Sequence, residues 1–274
     1  MRQYALTIAL LLTLPASAWA QSPAPQAAAP QTDAALTAVL NAPARSAQNR
    51  ARDVYRHPQQ TLQFFGITPT QTVIEISPGG GWYSEILAPY LRPGHYVGAL
   101  PKVRPDSPYQ RMHTELQNKM ADNPAHFGVP FWQNYDPRNP VLDTPAPADA
   151  VLTFRNVHNW VAAGTADAYF KAFFDVLKPG GVLGVVDHRA KPGTDLETMK
   201  KTGYLTEDLV IEYATRAGFR LDAKSEINAN PKDSTDHPNG VWTLPPTAKH
   251  DARDAEKYRA IGESDRMTLR FIKP

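Results

Sequence analysis

Residues 73–87 have the sequence Val73-Ile74-Glu75-Ile76-Ser77-Pro78-Gly79-Gly80-Gly81-Trp82-Tyr83-Ser84-Glu85-Ile86-Leu87. The run begins with β-branched residues and is bounded by turn residues, which is typical of a buried strand. A glycine triplet follows, and apolar residues then recur at helical spacing. This segment therefore predicts a strand, a tight turn and a helix, the unit that presents backbone amides to a polar ligand.

The composition is that of a globular chain. Its 274 residues are 42% hydrophobic, which is enough for a core, and the formal net charge of +2 indicates no particular partner. No basic stripe interleaves with aromatic residues, so a small-molecule substrate is expected and nucleic acid is not. The chain has no cysteine and therefore needs no disulfide.

The first 20 residues have the three parts of a secretory signal peptide. Arg2 is the only charge, residues 5–14 are apolar, and Ala18-Trp19-Ala20 fits the small-x-small rule for cleavage after Ala20. A membrane span is the alternative, but the apolar run is too short before Pro15. We therefore expect a periplasmic or secreted protein with no stable membrane insertion after signal removal.

The signal is followed by a linker and one folded domain. Residues 21–32 are rich in proline, alanine and glutamine, so we expect them to be disordered. Residues 33–274 contain the apolar periodicity of a single α/β domain.

Helical and strand patterns alternate along this domain. Helices are predicted at 33–40, 46–55, 59–65, 105–121, 165–177 and 206–217. Strands are predicted at 73–76, 96–100, within 127–135, and at 149–154, 182–186, 219–227 and 266–272. The continuous apolar run at 182–186 is typical of a parallel sheet covered on both faces, whereas the alternation at 266–272 predicts an edge strand. The pattern indicates a doubly wound α/β fold with N-terminal helices.

Four segments resemble class I S-adenosylmethionine-dependent methyltransferases, and more closely the predicted exported ones of bacterial genomes. They read Glu75-Ile-Ser-Pro-Gly-Gly-Gly81, Ala148-Asp-Ala-Val-Leu-Thr-Phe-Arg-Asn-Val-His-Asn-Trp160, Leu177-Lys-Pro-Gly-Gly-Val-Leu183 and Ala217-Gly-Phe219. The resemblance implies a Rossmann-like methyltransferase sheet of order 3-2-1-4-5-7-6, with strand 7 antiparallel. It also implies S-adenosylmethionine as cofactor and methyl transfer to a small or envelope-associated acceptor.

The resemblance further implies where the cofactor binds. Glu75 matches the acidic residue of the family's first motif, near the methionine end of the cofactor. Gly79 and Gly81 match the glycines that let the backbone approach the ligand, although a tight turn alone would also require them. The other expected contacts are Pro78, Gly80, Tyr83, Asp136 and Asn156. Asn156, at the end of strand 4, could hold either the cofactor or the acceptor.

Two of these contacts have a structural alternative. Asp136 falls where the family often contacts the adenine amino group, but it is equally suited to capping the turn before Pro137. Tyr83, like its neighbour Trp82, either walls the ligand or packs under the sheet.

The second strand departs from the family pattern. It ends Gly98-Ala99-Leu100-Pro101-Lys102, where the family usually has an acid that binds the ribose hydroxyls, and the nearest acid here is Asp106. Either another residue holds the ribose, or cofactor binding is weak or lost, which would favour a methyltransferase-like protein that binds a ligand without catalysis. A dinucleotide turn fits less well, because Ser84 stands where that motif needs glycine or alanine.

The ends of strands 4 and 5 carry the candidate catalytic residues. His158 is the first choice for a general base and His188 the second, with Asp187 as the orienting carboxylate. Loop histidines are often only structural. A third interpretation is a zinc or iron site formed by these three residues with His237, but no tight histidine spacing supports it, so no metal is expected.

Two further segments are candidates for ligand contact. The arginines at 45, 50, 52 and 56 form either a solvated helix face or, through Arg52 or Arg56, a contact to a ligand carboxylate. Residues 228–247 are a long loop, which predicts a lid on the acceptor side with contacts from Asn230, Asp233 and His237.

Overall fold

The structure is a computed structural model that describes residues 33–144 and 146–274. The predicted signal peptide and linker lie outside the described residues. Residues Ala34–Pro274 form one unit built on a seven-stranded sheet. The strands are β1 (Thr72–Ile76), β2 (His95–Pro101), β3 (Phe131–Tyr135), β4 (Ala148–Phe154), β5 (Leu177–His188), β6 (Arg220–Ser225) and β7 (Arg266–Ile272).

The strand order is β3-β2-β1-β4-β5-β7-β6. Strands β1 to β5 pair in parallel, and β7 is antiparallel to both β5 and β6. This confirms the doubly wound Rossmann-like methyltransferase sheet. The strand order reverses between β1 and β4, since β2 and β3 follow on one side of β1 and β4 and β5 on the other. The carboxyl ends of β1 and β4 therefore open on a crevice where this class of sheet binds ligands.

Helices cover both faces of the sheet. They are α1 (Ala34–Leu40), α2 (Ala47–Arg50), α3 (Asp53–Arg56), α4 (Pro58–Phe64), α5 (Ser84–Tyr90), α6 (Pro108–Ala121), α7 (Pro124–Phe127), α8 (Val157–Ala163), α9 (Ala166–Val176), α10 (Leu196–Thr202), α11 (Glu207–Arg216) and α12 (Ala255–Ile261). Helices α8, α9 and α11 pack on one face, and α1, α4, α5 and α6 pack on the other. Within the described chain, every helix is too short or too polar to span a bilayer.

The alternation of β1 shows why the sheet needs two helical layers. Ile74 and Ile76 lie in the core on the α9 side, whereas Val73 lies in the core on the α5 side. Successive side chains of a strand point to opposite faces, so a strand buried on both faces carries apolar residues at nearly every position. The exception is Glu75, which is buried on the α5 side and registers with Gly98 of β2 and Leu152 of β4.

The prediction that residues 266–272 form an edge strand is wrong. Strand β7 lies between β5 and β6, and two of its polar side chains bond to the N-terminal helices. Arg266 donates to the carbonyl oxygen of Tyr55, and Arg270 donates to that of Phe64. The polar half of the alternation therefore faces other backbone groups, and the outer strand is β6.

The helical predictions also need correction at two places. The segment predicted as one helix at 46–55 is two short helices, α2 and α3, separated by a turn. Strand β4 is followed directly by α8, which places Asn156 before a helix and His158 within its first turn. Helices α10 and α12 are not predicted by the sequence, because each buries a single side chain, Met199 and Tyr258 respectively, and so has little apolar periodicity.

Candidate functional site

The glycine turn after β1 is held by backbone conformations that favour glycine. Gly79 and Gly81 have φ angles of 61° and 78°, and Ser77 has a φ of 49°. A Cβ at Gly79 would meet no atom within 4 Å, whereas a Cβ at Gly81 would lie 2.2 Å from the Leu116 side chain of α6. Gly79 therefore borders free space, whereas Gly81 borders the movable end of a leucine side chain, so the positive φ is the stronger reason for glycine at position 81.

A cavity of about 200 Å³, here called the turn cavity, opens beside this turn. Its lining includes most of the predicted cofactor contacts, namely Glu75, Pro78, Gly79, Gly80, Tyr83 and Asn156. It also includes three arginines: Arg52, Arg56 and Arg155. The structure thus brings the turn, the end of β4 and the N-terminal helices together around one space.

A second cavity of about 440 Å³, here called the aromatic cavity, shares Ser77, Gly79 and Asn156 with the turn cavity. Tyr109, Trp160 and Tyr169 are among its lining residues. Because the two cavities share three residues, they form adjoining parts of one crevice at the carboxyl ends of β1, β2 and β4.

No carboxylate lines the aromatic cavity within the described chain. The end of β2 contributes Pro101, and the next acid, Asp106, lines neither cavity. Asp136 also lies outside both: it is exposed, and its Oδ1 accepts a hydrogen bond from the backbone N–H of Arg138 at 2.9 Å. The structure therefore shows Asp136 in the turn-capping geometry. The polar groups that do line the aromatic cavity include Asn159, His113 and Thr165.

Glu75 is buried beneath the turn cavity. Its Oε2 accepts hydrogen bonds from the hydroxyls of Ser84 and Tyr96, each at 2.7 Å. Burial raises the pKa of Glu75 to about 7, and these two hydrogen bonds oppose the shift only in part. The carboxyl group is therefore poised to change charge near neutral pH when a cation approaches.

Four arginines surround one buried glutamate at the edge of the turn cavity. Glu263 pairs with Arg52 at 2.7 Å, with Arg56 at 3.1 Å and with Arg266 at 3.2 Å. Burial acts to raise the pKa of Glu263, but the guanidinium groups of Arg266, Arg56 and Arg52 outweigh it and lower the pKa to about 2. We call these residues, together with Arg155, the guanidinium cluster.

The sequence pointed to only part of this cluster. The interpretation of the arginines as a solvated face is wrong for Arg45 and Arg56, which are buried. Arg155 follows β4 with a φ of 61°, a left-handed conformation that costs about 1–2 kcal/mol for a residue other than glycine. Arg266 and Glu263 lie more than 200 residues away from Arg52, so no local motif could have indicated them.

Trp82 and Tyr83 attach the N-terminal helices to the turn. The Nε1–H of Trp82 donates to the carbonyl oxygen of Asn49 at 2.8 Å, and the Arg56 guanidinium lies 4.7 Å from the centre of its ring. Tyr83 stacks on Phe154 with a centroid distance of 3.5 Å. Both aromatic residues therefore pack and line the turn cavity, so the two interpretations of these residues apply together.

The structure brings His158, Asp187 and His188 together. Asp187 Oδ1 lies 2.9 Å from His158 Nδ1, and the two histidine rings have centroids 5.0 Å apart. A proton on Nδ1 satisfies the bond to Asp187 and leaves Nε2 of His158 as the basic nitrogen. His188 Nδ1 is bonded to the Ser264 hydroxyl at 2.5 Å, and burial holds the pKa of His188 well below its ordinary value.

The three residues are buried and line neither cavity. One ligand atom from each lies within 4.8 Å of the others, which is compatible with a metal-binding trio. However, Asp187 already accepts hydrogen bonds from His158 Nδ1 and from the backbone N–H groups of His158 and His188. Through these hydrogen bonds, the three residues hold the turn between β4 and α8 against β5.

The long loop at 228–247 does not supply contacts to either cavity. Asn230 donates to the carbonyl oxygens of Ile261 and Glu263. Asp233 accepts from Tyr204 at 2.9 Å and bonds to His237 Nε2 at 2.8 Å. The three predicted lid contacts therefore bond to protein groups, and His237 is separate from the histidine–aspartate trio.

No protein-family model matches the chain, and no curated protein matches it. Solved structures do resemble it. The N-methyltransferase NodS from Bradyrhizobium japonicum WM9 is 14% identical, with a TM-score of 0.50 and coverage of 80% of this chain and 95% of that one. The [4+2]-cyclase SpnF is 18% identical, with a TM-score of 0.52 and coverage of 85% of each chain.

A third similar structure is the O-methyltransferase NcsB1 from neocarzinostatin biosynthesis, in complex with S-adenosyl-L-homocysteine and 1,4-dihydroxy-2-naphthoic acid. It is 14% identical, with a TM-score of 0.51 and coverage of 83% of this chain and 56% of that one. The chain has the methyltransferase fold. At these identities the likeness concerns the fold alone, and SpnF shows that one fold accommodates more than one kind of reaction.

Proposed function

We propose that this protein transfers a methyl group from S-adenosylmethionine to an acceptor bound beside the glycine turn. The observation that carries the proposal is the crevice formed by the turn cavity and the aromatic cavity, which meet at Ser77, Gly79 and Asn156. A crevice at the carboxyl end of β1, with a glycine turn on its floor, is the place where a sheet of this order binds a nucleoside-containing ligand.

The residues of the crevice fit the cofactor in two parts. Tyr109, Trp160 and Tyr169 provide apolar and aromatic surface for an adenine ring. Glu75 in the turn cavity provides a carboxyl group for an ammonium group. The ribose would be held by neutral donors such as Asn159 and Thr165, because no carboxylate lines the aromatic cavity in the described residues.

When bound, S-adenosylmethionine supplies an electrophilic methyl group whose bond to sulfur breaks as the acceptor atom forms its own bond to that carbon. The protein has to align the acceptor and remove its proton. We propose His158 as the base, with Asp187 holding its Nδ1–H so that Nε2 is free to accept the proton. His158 is buried and lines neither cavity, but it lies two residues after Asn156, which lines both, so the β4–α8 turn would have to move for the acceptor to reach its Nε2.

Calorimetric titration of the full chain with S-adenosylmethionine and S-adenosylhomocysteine tests cofactor binding. Saturable heat for both ligands is expected, and no heat for either at millimolar concentration would rule the methyltransferase proposal out. Transfer of a labelled methyl group into a cell-envelope extract then tests catalysis and marks the acceptor.

The base assignment has its own test. His158→Gln should lower methyl transfer to that acceptor about 10²–10⁴-fold while leaving the affinity for S-adenosylhomocysteine unchanged. His188→Gln is the matched control, since His188 is buried beside His158 and bonds to Ser264. Equal activity in both variants and the wild type would reject His158 as the base.

A second candidate is a ligand-binding protein without catalysis, which the lack of a carboxylate in the aromatic cavity favours. Binding of S-adenosylhomocysteine without methyl transfer to any component of the extract would support it.

We also propose that residues 1–20 direct export. Purified mature protein beginning at Gln21 is the expected result, and an intact Met1 in protein from an exporting host would contradict it.

A further inference from the structure

The guanidinium cluster carries more positive charge than its surroundings neutralise. The guanidinium groups of Arg52, Arg56 and Arg266 pair with Glu263, and that of Arg155 lies within electrostatic range of it. Among the described residues, Glu263 is the one carboxylate that forms ion pairs with this cluster. Asp187 is within electrostatic range of Arg155 and offsets part of its charge, so two carboxylates face four guanidinium groups. The cluster therefore has an excess of positive charge beside the turn cavity.

Several of its donors have no partner. The Nη2 atoms of Arg52 and Arg56 are buried and make no hydrogen bond, and Arg56 is only 4% exposed. The half-buried Arg155 side chain lines the turn cavity and forms no ion pair with a described residue. Buried charged donors without a partner are costly, so their persistence points to a ligand that satisfies them.

Arg266 differs from these three. Its guanidinium group bonds to Glu263, to the carbonyl oxygen of Ser264 and to that of Tyr55. It does not line the turn cavity, whereas Arg52, Arg56 and Arg155 all do. The unsatisfied donors are therefore on the three arginines that border the cavity.

A cofactor would not remove the excess charge. The methionine end of S-adenosylmethionine carries one carboxylate, one ammonium and one sulfonium group, so the cofactor adds net positive charge to the site. Its single carboxylate can pair with only part of the cluster, so a further anion is needed for the remaining guanidinium charge.

We propose that Arg52, Arg56 and Arg155 form a site for an oxyanion, the carboxylate or phosphate group of the methyl acceptor. Planar guanidinium groups bind both anions through paired N–H donors. The assignment to the acceptor rests on the proposed function, whereas the oxyanion site itself rests on the charges and unpartnered donors. The acceptor class is thus acidic small molecules, with the acid group oriented by Arg155 at the end of β4 and by α2–α3.

The test is calorimetric titration of the full chain with inorganic phosphate and with malonate, at constant ionic strength in chloride, with and without saturating S-adenosylhomocysteine. Saturable binding of at least one anion is expected in the presence of S-adenosylhomocysteine. Arg155→Gln should weaken it at least tenfold. Arg216→Gln, which removes a guanidinium paired with Asp167 and Glu212 on the surface, should leave it unchanged. Should Arg155→Gln not fold, Arg52→Gln provides the same comparison.

Other outcomes separate the two proposals. Wild-type protein that binds S-adenosylhomocysteine but neither anion at tens of millimolar would overturn the oxyanion site and leave the methyltransferase proposal standing. Anion binding that S-adenosylhomocysteine displaces would assign the arginines to the cofactor's own carboxylate and overturn the acceptor assignment. Anion binding without any binding of S-adenosylhomocysteine would overturn the proposed function, and the acceptor assignment with it.

Discussion

The two outer glycines of the turn have different physical reasons for being glycine. Gly79 needs a left-handed backbone next to free space, and Gly81 needs the same backbone next to Leu116. We expect Gly79→Ala to cost about 1–2 kcal/mol of stability from its positive φ. We also expect it to weaken S-adenosylhomocysteine binding at least tenfold, because the new methyl group projects toward the cavities. Urea unfolding and calorimetry measure the two effects.

Gly193 offers a matched control for this substitution. It has a φ of 80°, a Cβ there would meet nothing within 4 Å, and it lies in an exposed turn away from both cavities. Gly193→Ala should lose similar stability and no ligand affinity. If both variants bind S-adenosylhomocysteine like the wild type, Gly79 does not border the bound ligand.

Glu75 makes the stability of the protein depend on pH. Its pKa is raised by burial from 4.5 to about 7 in the folded state, so the folded protein retains a proton that the unfolded chain has lost. Stability therefore falls as pH rises from 4.5 through 7, by roughly 3 kcal/mol in total. Glu75→Gln can still accept the hydrogen bonds of Ser84 and Tyr96, and it removes this dependence.

The measurement is urea unfolding of both proteins at pH 4.5 and at pH 8. The stability of Glu75→Gln relative to the wild type should increase between these two pH values by that amount. A constant difference across the range would show that Glu75 titrates in the folded protein as it does in the unfolded chain.

At this scale the sequence predicts residues that are close to one another in the chain. Glu75 and Gly79 belong to one motif, and the structure places both at the turn cavity. Glu263 and Arg155 carry no motif, because their significance arises only when distant segments meet in the fold. Asp136 is expected to contact the cofactor, yet it lies outside both cavities and its local turn satisfies its carboxylate.

The glycine turn and helix α6 depend on each other. Leu116 of α6 is buried, and its Cδ1 occupies the space where a Cβ of residue 81 would lie. Leu116→Ala should cost about 2–5 kcal/mol as a large-to-small core change. Gly81→Ala should cost the strain of its φ plus the displacement of Leu116.

The double variant, Gly81→Ala with Leu116→Ala, shows whether the two residues are energetically coupled. Since Leu116→Ala clears the space, the two costs should sum to more than the cost of the double variant, by about 0.5–3 kcal/mol. Urea unfolding of the four proteins gives this coupling energy. Additive costs would mean that α6 adjusts freely and does not constrain the turn.

Elements with long apolar patterns were predictable, and those defined by their neighbours were not. Strand β1 and helix α9 have enough buried residues to be recognised from spacing alone. Strand β7 has an alternating pattern that usually indicates an edge strand. Its Arg266 and Arg270 instead donate hydrogen bonds to backbone carbonyl oxygens of the N-terminal helices. Only two residues separate β4 from α8, so the sequence pattern assigns the apolar residues of α8 to the end of the strand.

Contacts between the N-terminal helices and the residues at and before β7 hold the two ends of the described domain together. Glu263 precedes β7 and pairs with Arg52 and Arg56, which lie 211 and 207 residues earlier. Because these groups are buried, removal of the carboxylate leaves guanidinium charges without compensation. Glu263→Gln should therefore cost about 3–5 kcal/mol at pH 7.

Asp222→Asn is the control for this prediction, because Asp222 pairs with Arg270 at 2.7 Å in a more exposed position. Its expected cost is 0–1 kcal/mol. The neighbouring guanidinium groups hold the pKa of Glu263 at about 2 against the effect of burial. The stabilisation of the fold by ionised Glu263 is thus complete above pH 4.5 and is lost as pH falls toward 2. The difference in free energy of unfolding between wild type and Glu263→Gln should therefore shrink over that range. Urea unfolding at pH 7 and pH 3 measures it. Equal costs for both variants at pH 7 would mean that another group neutralises the guanidinium cluster.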